Sequence, residues 1–300
     1  MKRKWIGAMG LAAVLAMVNL ASAAEPPTLP KGVKLLRDIP YVEGGHQRNH
    51  LDLYLPEKAE GRLPLVVWIH GGGWQGGSKE GCPAVPLAAK GYAVASINYR
   101  LSQHAVFPAQ IEDCKAAIRW LRANAAKYHI DPDRVGVWGG SAGGHLVALL
   151  GTTGGVKDLE GELGNVDQSS RVQAVVDWYG PTDFLSWDPN FNQAVYAMVE
   201  HLIGGLPREN QENREKARRA SPLTYVSKDS APFLIMHGDK DNVVPLAQSE
   251  SLAAALEKAG VEVTLRVVVG SGHGGPAFHS PESYKLIEDF FARHLGKQKP

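Results

Sequence analysis

Short apolar runs alternate with helix-like stretches along most of this chain, and that rhythm restricts its possible folds more than any other feature. Residues 65–69 (Leu-Val-Val-Trp-Ile) are continuously apolar and end in His70 and glycines, as a strand buried on both faces would. Residues 92–97, 135–138, 172–178, 232–236 and 261–269 continue the series. Residues 48–55 alternate instead, with Leu51, Leu53 and Leu55 on one face and Asp52 and Tyr54 on the other, which predicts a half-buried strand. Between these runs, residues 108–128 place Ile111, Cys114, Ala117, Ile118 and Leu121 at helical spacing, and residues 142–150, 247–259 and 281–295 read the same way. The pattern predicts an α/β fold with a mostly parallel central sheet and helices on both faces. Residues 184–229 interrupt it and are too long for a plain loop. Their first part carries Trp187, Phe191, Tyr196 and Met198, and their second is dense in charge. A small cap-like insertion ending in a solvated helix is expected.

The ends and the charge balance narrow the setting. Lys2, Arg3 and Lys4 precede a run of about 15 apolar residues, and Ala21-Ser22-Ala23 follows. Residues 1–23 therefore read as a secretory signal peptide, cut after Ala23 or Ala24, with residues 24–300 as one domain in a secreted or periplasmic protein. The run is shorter than the ~20 residues of a spanning helix, so no stable membrane association is expected. With 32 basic and 31 acidic side chains in 300 residues, the balance disfavours a nucleic-acid partner. Two cysteines, Cys82 and Cys114, make neither a disulfide framework nor a Cys-rich metal site. They form either one bridge or two buried thiols.

Chemistry concentrates at the ends of the apolar runs. Gly139-Gly140-Ser141-Ala142-Gly143 follows one run and opens an apolar helix, the context of a nucleophile elbow that presents Ser141. A phosphate-binding turn is disfavoured, because no Lys-Ser/Thr ending follows. His70-Gly71-Gly72-Gly73-Trp74 follows another run, and its glycines let backbone donors approach an oxyanion. Gly72 and Gly73, with the N–H of Ala142, are the expected oxyanion donors, and His70 is expected to hold the loop. Among eleven histidines, His273 in a glycine-rich loop after the last run is the expected base, with His279 and His145 as rivals. Asp239 and Asp241 both follow the run 232–236, and Asp241 is preferred as the acid. The order Ser141, Asp241, His273 is that of α/β-hydrolases.

Here the chain resembles the hormone-sensitive-lipase-like esterases in its His70–Trp74 and Gly139–Gly144 motifs. It is more similar to exported bacterial α/β-hydrolases that include the bifunctional feruloyl and acetyl-xylan esterases. Residues 96–102, 107–110, 131–134 and 179–183, the elbow continuing into Gly144-His145, and His237-Gly238 with Asp241 share that similarity. Gly140 stands where many hormone-sensitive-lipase-like members have Asp, which favours the second group. The resemblance implies an α/β-hydrolase fold, a Ser-His-Asp triad and an ester substrate.

The expected activity is thus serine carboxylesterase action on small-molecule or polysaccharide-linked esters of the acetyl or feruloyl kind, with no metal and no cofactor. Trp74, Tyr179 and Trp187 are the candidates to line the substrate pocket. An amide-type hydrolase, such as an aryl formamidase or a peptidase, is the alternative within enzymes, and a non-catalytic binding protein on this scaffold is the alternative outside them. The sequence does not set the oligomeric state.

Overall fold

The computed structural model describes residues 29–296 except 60 and 189, and the expected signal peptide lies outside the described residues. Eight strands form one sheet: β1 (Val33–Pro40), β2 (His50–Pro56), β3 (Leu63–Ile69), β4 (Ala93–Ile97), β5 (Ile130–Gly140), β6 (Ala174–Trp178), β7 (Phe233–Gly238) and β8 (Val263–Val268). Their order is β1-β2-β4-β3-β5-β6-β7-β8. β2 runs antiparallel to both neighbours, and from β4 to β8 every pairing is parallel. The expected α/β-hydrolase architecture is therefore present.

Two strands depart from the sequence pattern. β1 has no counterpart in it, because this edge strand is mostly exposed, carries Lys34, Arg37 and Asp38, and shifts register between Leu36 and Ile39. β2 was expected to be half-buried, yet Leu51 through Leu55 are all buried. It lies between β1 and β4 with both faces covered. Asp52 is tolerated there because the Lys79 ammonium sits 2.9 Å from its carboxylate.

The main helices are α1 (Ala109–Ala123), α2 (Ala142–Thr152), α3 (Gln193–Ile203), α4 (Gln211–Ala220), α5 (Leu246–Lys258) and α6 (Pro281–Leu295). Helices α1, α2 and α5 bury their apolar stripes with Leu65, Val67 and Ile69 on one face of the sheet. On the other face α6 packs Ile287, Phe290 and Phe291 near Trp68, Trp138 and Trp178, whose rings meet edge to face. Cys114 belongs to the first layer and Cys82 to the second, and both are free. The sheet separates the two thiols, so they do not form a bridge.

The insertion at residues 184–229 is packed firmly onto the first layer. Phe184, Trp187, Val195, Tyr196, Val199 and Leu202 are all core residues. Helix α3 is capped by Asn192, whose side chain accepts from the Val195 N–H, and ends at Gly204 in the left-handed region. The expected solvated helix is α4, capped by Asn210, which buries Asn213, Ala217 and Ala220 and turns its charged side chains outward. Among the described residues no helix is long and apolar enough to cross a membrane.

Candidate active site

The turn between β5 and α2 consists of one residue. Ser141 adopts φ 57° and ψ −120°, a backbone state that side chains other than glycine avoid at a cost on the order of 1–3 kcal/mol. Neighbours on both sides hold it there. Its N–H donates to the Trp178 carbonyl at 2.8 Å, and its own carbonyl accepts from the His145 N–H at 2.9 Å. Close approach does the rest, since a Cβ on Gly143 would run into the Ile69 carbonyl oxygen at the end of β3. The result lifts the serine side chain above the carboxyl ends of the parallel strands, where ligands of such sheets bind.

Ser141, His273 and Asp241 form a hydrogen-bonded line. The Ser141 hydroxyl donates to His273 Nε2 at 2.7 Å, and His273 Nδ1–H donates to Asp241 Oδ2 at 2.7 Å. Asp241 Oδ1 accepts from the Val243 and Val244 N–H groups at 2.8 and 2.9 Å. Burial opposes the charge on Asp241, but hydrogen bonds from His237 and His273 outweigh it and hold the carboxyl well below the usual carboxylate range. Asp239 points elsewhere: its Oδ1 accepts from the Gly270 N–H at 2.6 Å, fixing the start of the loop that delivers His273. His279 is exposed and edges against Trp178.

The 70–77 loop lies beside the serine. Gly71 packs against Gly140 and Ser141, and the N–H groups of Gly72, Gly73 and Ala142 make no hydrogen bond within the protein among the described residues. His70 holds this loop from below. Its Nδ1–H donates to the Gly71 carbonyl at 2.7 Å, Arg48 donates to its Nε2 at 3.0 Å, and its ring stacks on Tyr99. Burial pushes the His70 pKa down to about 4, so the ring is neutral and able to accept from Arg48.

The three pocket candidates separate. Tyr179 is half-buried at the site, its ring centroid 4.6 Å from that of His273. Trp74 and Trp187 are only 2% and 4% exposed and belong to the core, which corrects the expectation that they line an open pocket. Trp74 turns inward because its Nε1–H donates to His145 Nδ1 at 3.2 Å, and Trp187 packs beside Phe184.

Three further groups around the site, the rival base His145 among them, have partners that the sequence did not reveal. His145 is fully buried and donates from Nε2 to the Ala220 carbonyl at 2.7 Å, tying the Gly-rich loop, α2 and the end of α4 together. Burial lowers its pKa to about 4. His237 accepts from the Ser249 hydroxyl and places its Nε2–H 2.9 Å from the Val244 carbonyl and 3.2 Å from Asp241 Oδ2. Asp177, buried beneath Gly144 and Gly180, accepts from the Gly180 N–H at 2.9 Å, and burial pushes its pKa up to about 6. Their positions at a strand end or on the elbow helix were the available signal, but partners far away in sequence decide what they do.

Comparison with known proteins now bears on this geometry. The family model BD-FAE matches residues 51–256. Esterase LipQ of Mycobacterium tuberculosis is 35% identical over 265 residues, covering 86% of this chain and 61% of LipQ. The chain thus spans about three fifths of the length of that relative. A truncated form of a carbohydrate esterase from gut microbiota has a similar structure, with TM-score 0.80 and 37% identity over 91% of this chain and 99% of the other. A bifunctional GH43-CE protein of Bacteroides eggerthii is similar at TM-score 0.79 and 39% identity, over 87% of this chain and 35% of the other. With a family match over more than half its length, this chain belongs to the BD-FAE family of α/β-hydrolase esterases.

Proposed function

We propose that the protein is an exported serine carboxylesterase that cleaves acetyl- or feruloyl-type esters, including esters carried on sugars. The observation that carries this reading is the pair of 2.7 Å contacts joining Ser141, His273 and Asp241 beside three N–H groups that have no partner among the described residues. Ser141 Oγ attacks the ester carbonyl as its proton passes to His273 Nε2. Asp241 remains ionised, fixes the imidazole through Nδ1–H and stabilises the imidazolium. The tetrahedral oxyanion accepts from the N–H groups of Ala142, Gly72 and Gly73. His273 then protonates the leaving alcohol, and water, deprotonated by the same imidazole, releases the acid from the acyl-enzyme.

The relatives support the substrate class, since one carries the description of an esterase and another that of a carbohydrate esterase. The basic and then apolar residues 1–23 support export. Side-by-side assay of p-nitrophenyl acetate, methyl ferulate and an N-formyl arylamide is expected to give turnover of the two esters, with the amide slow. Amide turnover above both esters refutes the reading. Sequencing the exported protein is expected to find its N-terminus at Ala24 or Glu25.

A further inference from the structure

Next to the Gly-rich loop the surface opens into a groove of about 630 Å³, lined by Gln75, Ser102, Gln103, Glu200 and His201. Ser141, Asp241 and His273 do not line it, but it meets the Gly-rich loop at Gly73 through two connections. Gln75 follows Gly73 by two residues. Met198 of α3 packs directly on Gly73, within one helical turn of Glu200 and His201. The walls are joined by hydrogen bonds: Gln75 Nε2–H donates to His201 Nδ1 at 2.9 Å, and Gln103 donates to the Gln75 carbonyl at 3.1 Å.

The N–H of Ser102, a groove residue only 9% exposed, donates to the Trp74 carbonyl at 2.8 Å and so anchors the wall to the Gly-rich loop. The lining side chains include amides, an imidazole and the half-buried Glu200 carboxylate. This donor and acceptor set suits the neighbouring hydroxyls of a sugar ring. No Lys or Arg lines the groove, so an anionic group finds no counter-charge. Gly204 and Gly205 form part of the wall without side chains, leaving room for a ring.

We propose that this groove is a glycosyl subsite that holds a neutral sugar of the ester substrate while the ester carbonyl lies at Gly72 and Gly73. The inference rests on the esterase reading and adds to it the place and polarity of the sugar. The test measures kcat/KM of Glu200→Gln and Gln103→Ala on p-nitrophenyl acetate and on an acetylated neutral xylo-oligosaccharide. Turnover of the sugar ester is expected to fall roughly ten-fold, mainly through KM, with p-nitrophenyl acetate changed less than about two-fold. Equal losses on both substrates, or none on either, overturn the subsite. Wild-type protein that cleaves only p-nitrophenyl acetate also overturns it, but leaves the esterase reading standing. If wild-type protein cleaves neither, the esterase reading fails. The groove is then judged by titrating Ser141→Ala protein with the unacetylated oligosaccharide. Saturable binding that Glu200→Gln weakens supports the site, and no binding refutes it.

Discussion

The strand ends that carry Ser141, Asp241 and His273 and the insertion that includes α3 and α4 are held by different forces. At the strand ends each side chain has a directional partner: Ser141 on His273, His273 on Asp241, and Asp241 on two backbone N–H groups. The insertion is held chiefly by apolar burial of Trp187, Val195, Val199 and Leu202, with a few polar ties such as Asn192 to the Asn242 carbonyl at 3.0 Å. Hydrogen-bond geometry fails with small displacements, whereas apolar packing of conserved volume tolerates exchange. A protein built this way can change what it accepts while keeping the reaction it performs.

Substitutions at the strand ends test the directional half of this contrast. Ser141→Ala is expected to leave a folded protein whose kcat falls by roughly 10⁴–10⁶-fold, because the groups of such a line act as a unit. A native melting transition with retained turnover would show that another nucleophile operates. Asp241→Asn is expected to lower kcat roughly 10³–10⁴-fold, since the amide no longer stabilises the imidazolium or fixes its tautomer. Asp239→Asn is expected to cost less than about ten-fold, through a loosened Gly270. Reversal of that order would mean that the loop around Gly270 matters more than the Asp241 carboxylate.

Packing is tested in the insertion. Trp187→Ala is expected to destabilise the fold by about 3–5 kcal/mol, as large aromatic deletions from a core do. The ratio of feruloyl to acetyl hydrolysis should change little. A stable variant with an altered ratio would restore Trp187 to the substrate pocket. Denaturant midpoints measured between pH 7 and pH 4.5 give the smallest effect and link the two regions. His70 and His145 are buried neutral with pKa values near 4, below their ordinary 6.5, so their contribution is complete above that value and falls away toward acid. Each accounts for at most roughly 3 kcal/mol. Asp177, raised to about 6, works in the opposite sense and gains stability as pH falls through that value. Asp177→Asn is therefore expected to steepen the acid loss, and an unchanged slope would show that Asp177 does not titrate in this window.

Much of the site is legible in the residues themselves. A one-residue turn between an apolar run and an apolar helix is local chemistry, so Gly139 to Gly143 announce the strained Ser141 without knowledge of anything distant. The alternation of runs likewise determines an α/β sheet, and loops at strand ends determine which residues gather on one side of it. Side-chain direction is another matter. Asp239 and Asp241 lie two residues apart in one loop, and only the folded chain turns one toward Gly270 and the other toward His273. Trp74 is read equally well as pocket or core until His145, 71 positions away, accepts its indole N–H. Strand β1 becomes visible only through its partner β2, because an exposed edge needs no apolar pattern. Turn chemistry is written in neighbouring residues, while burial and hydrogen-bond choice depend on atoms brought together across the chain, and those only the tertiary structure decides.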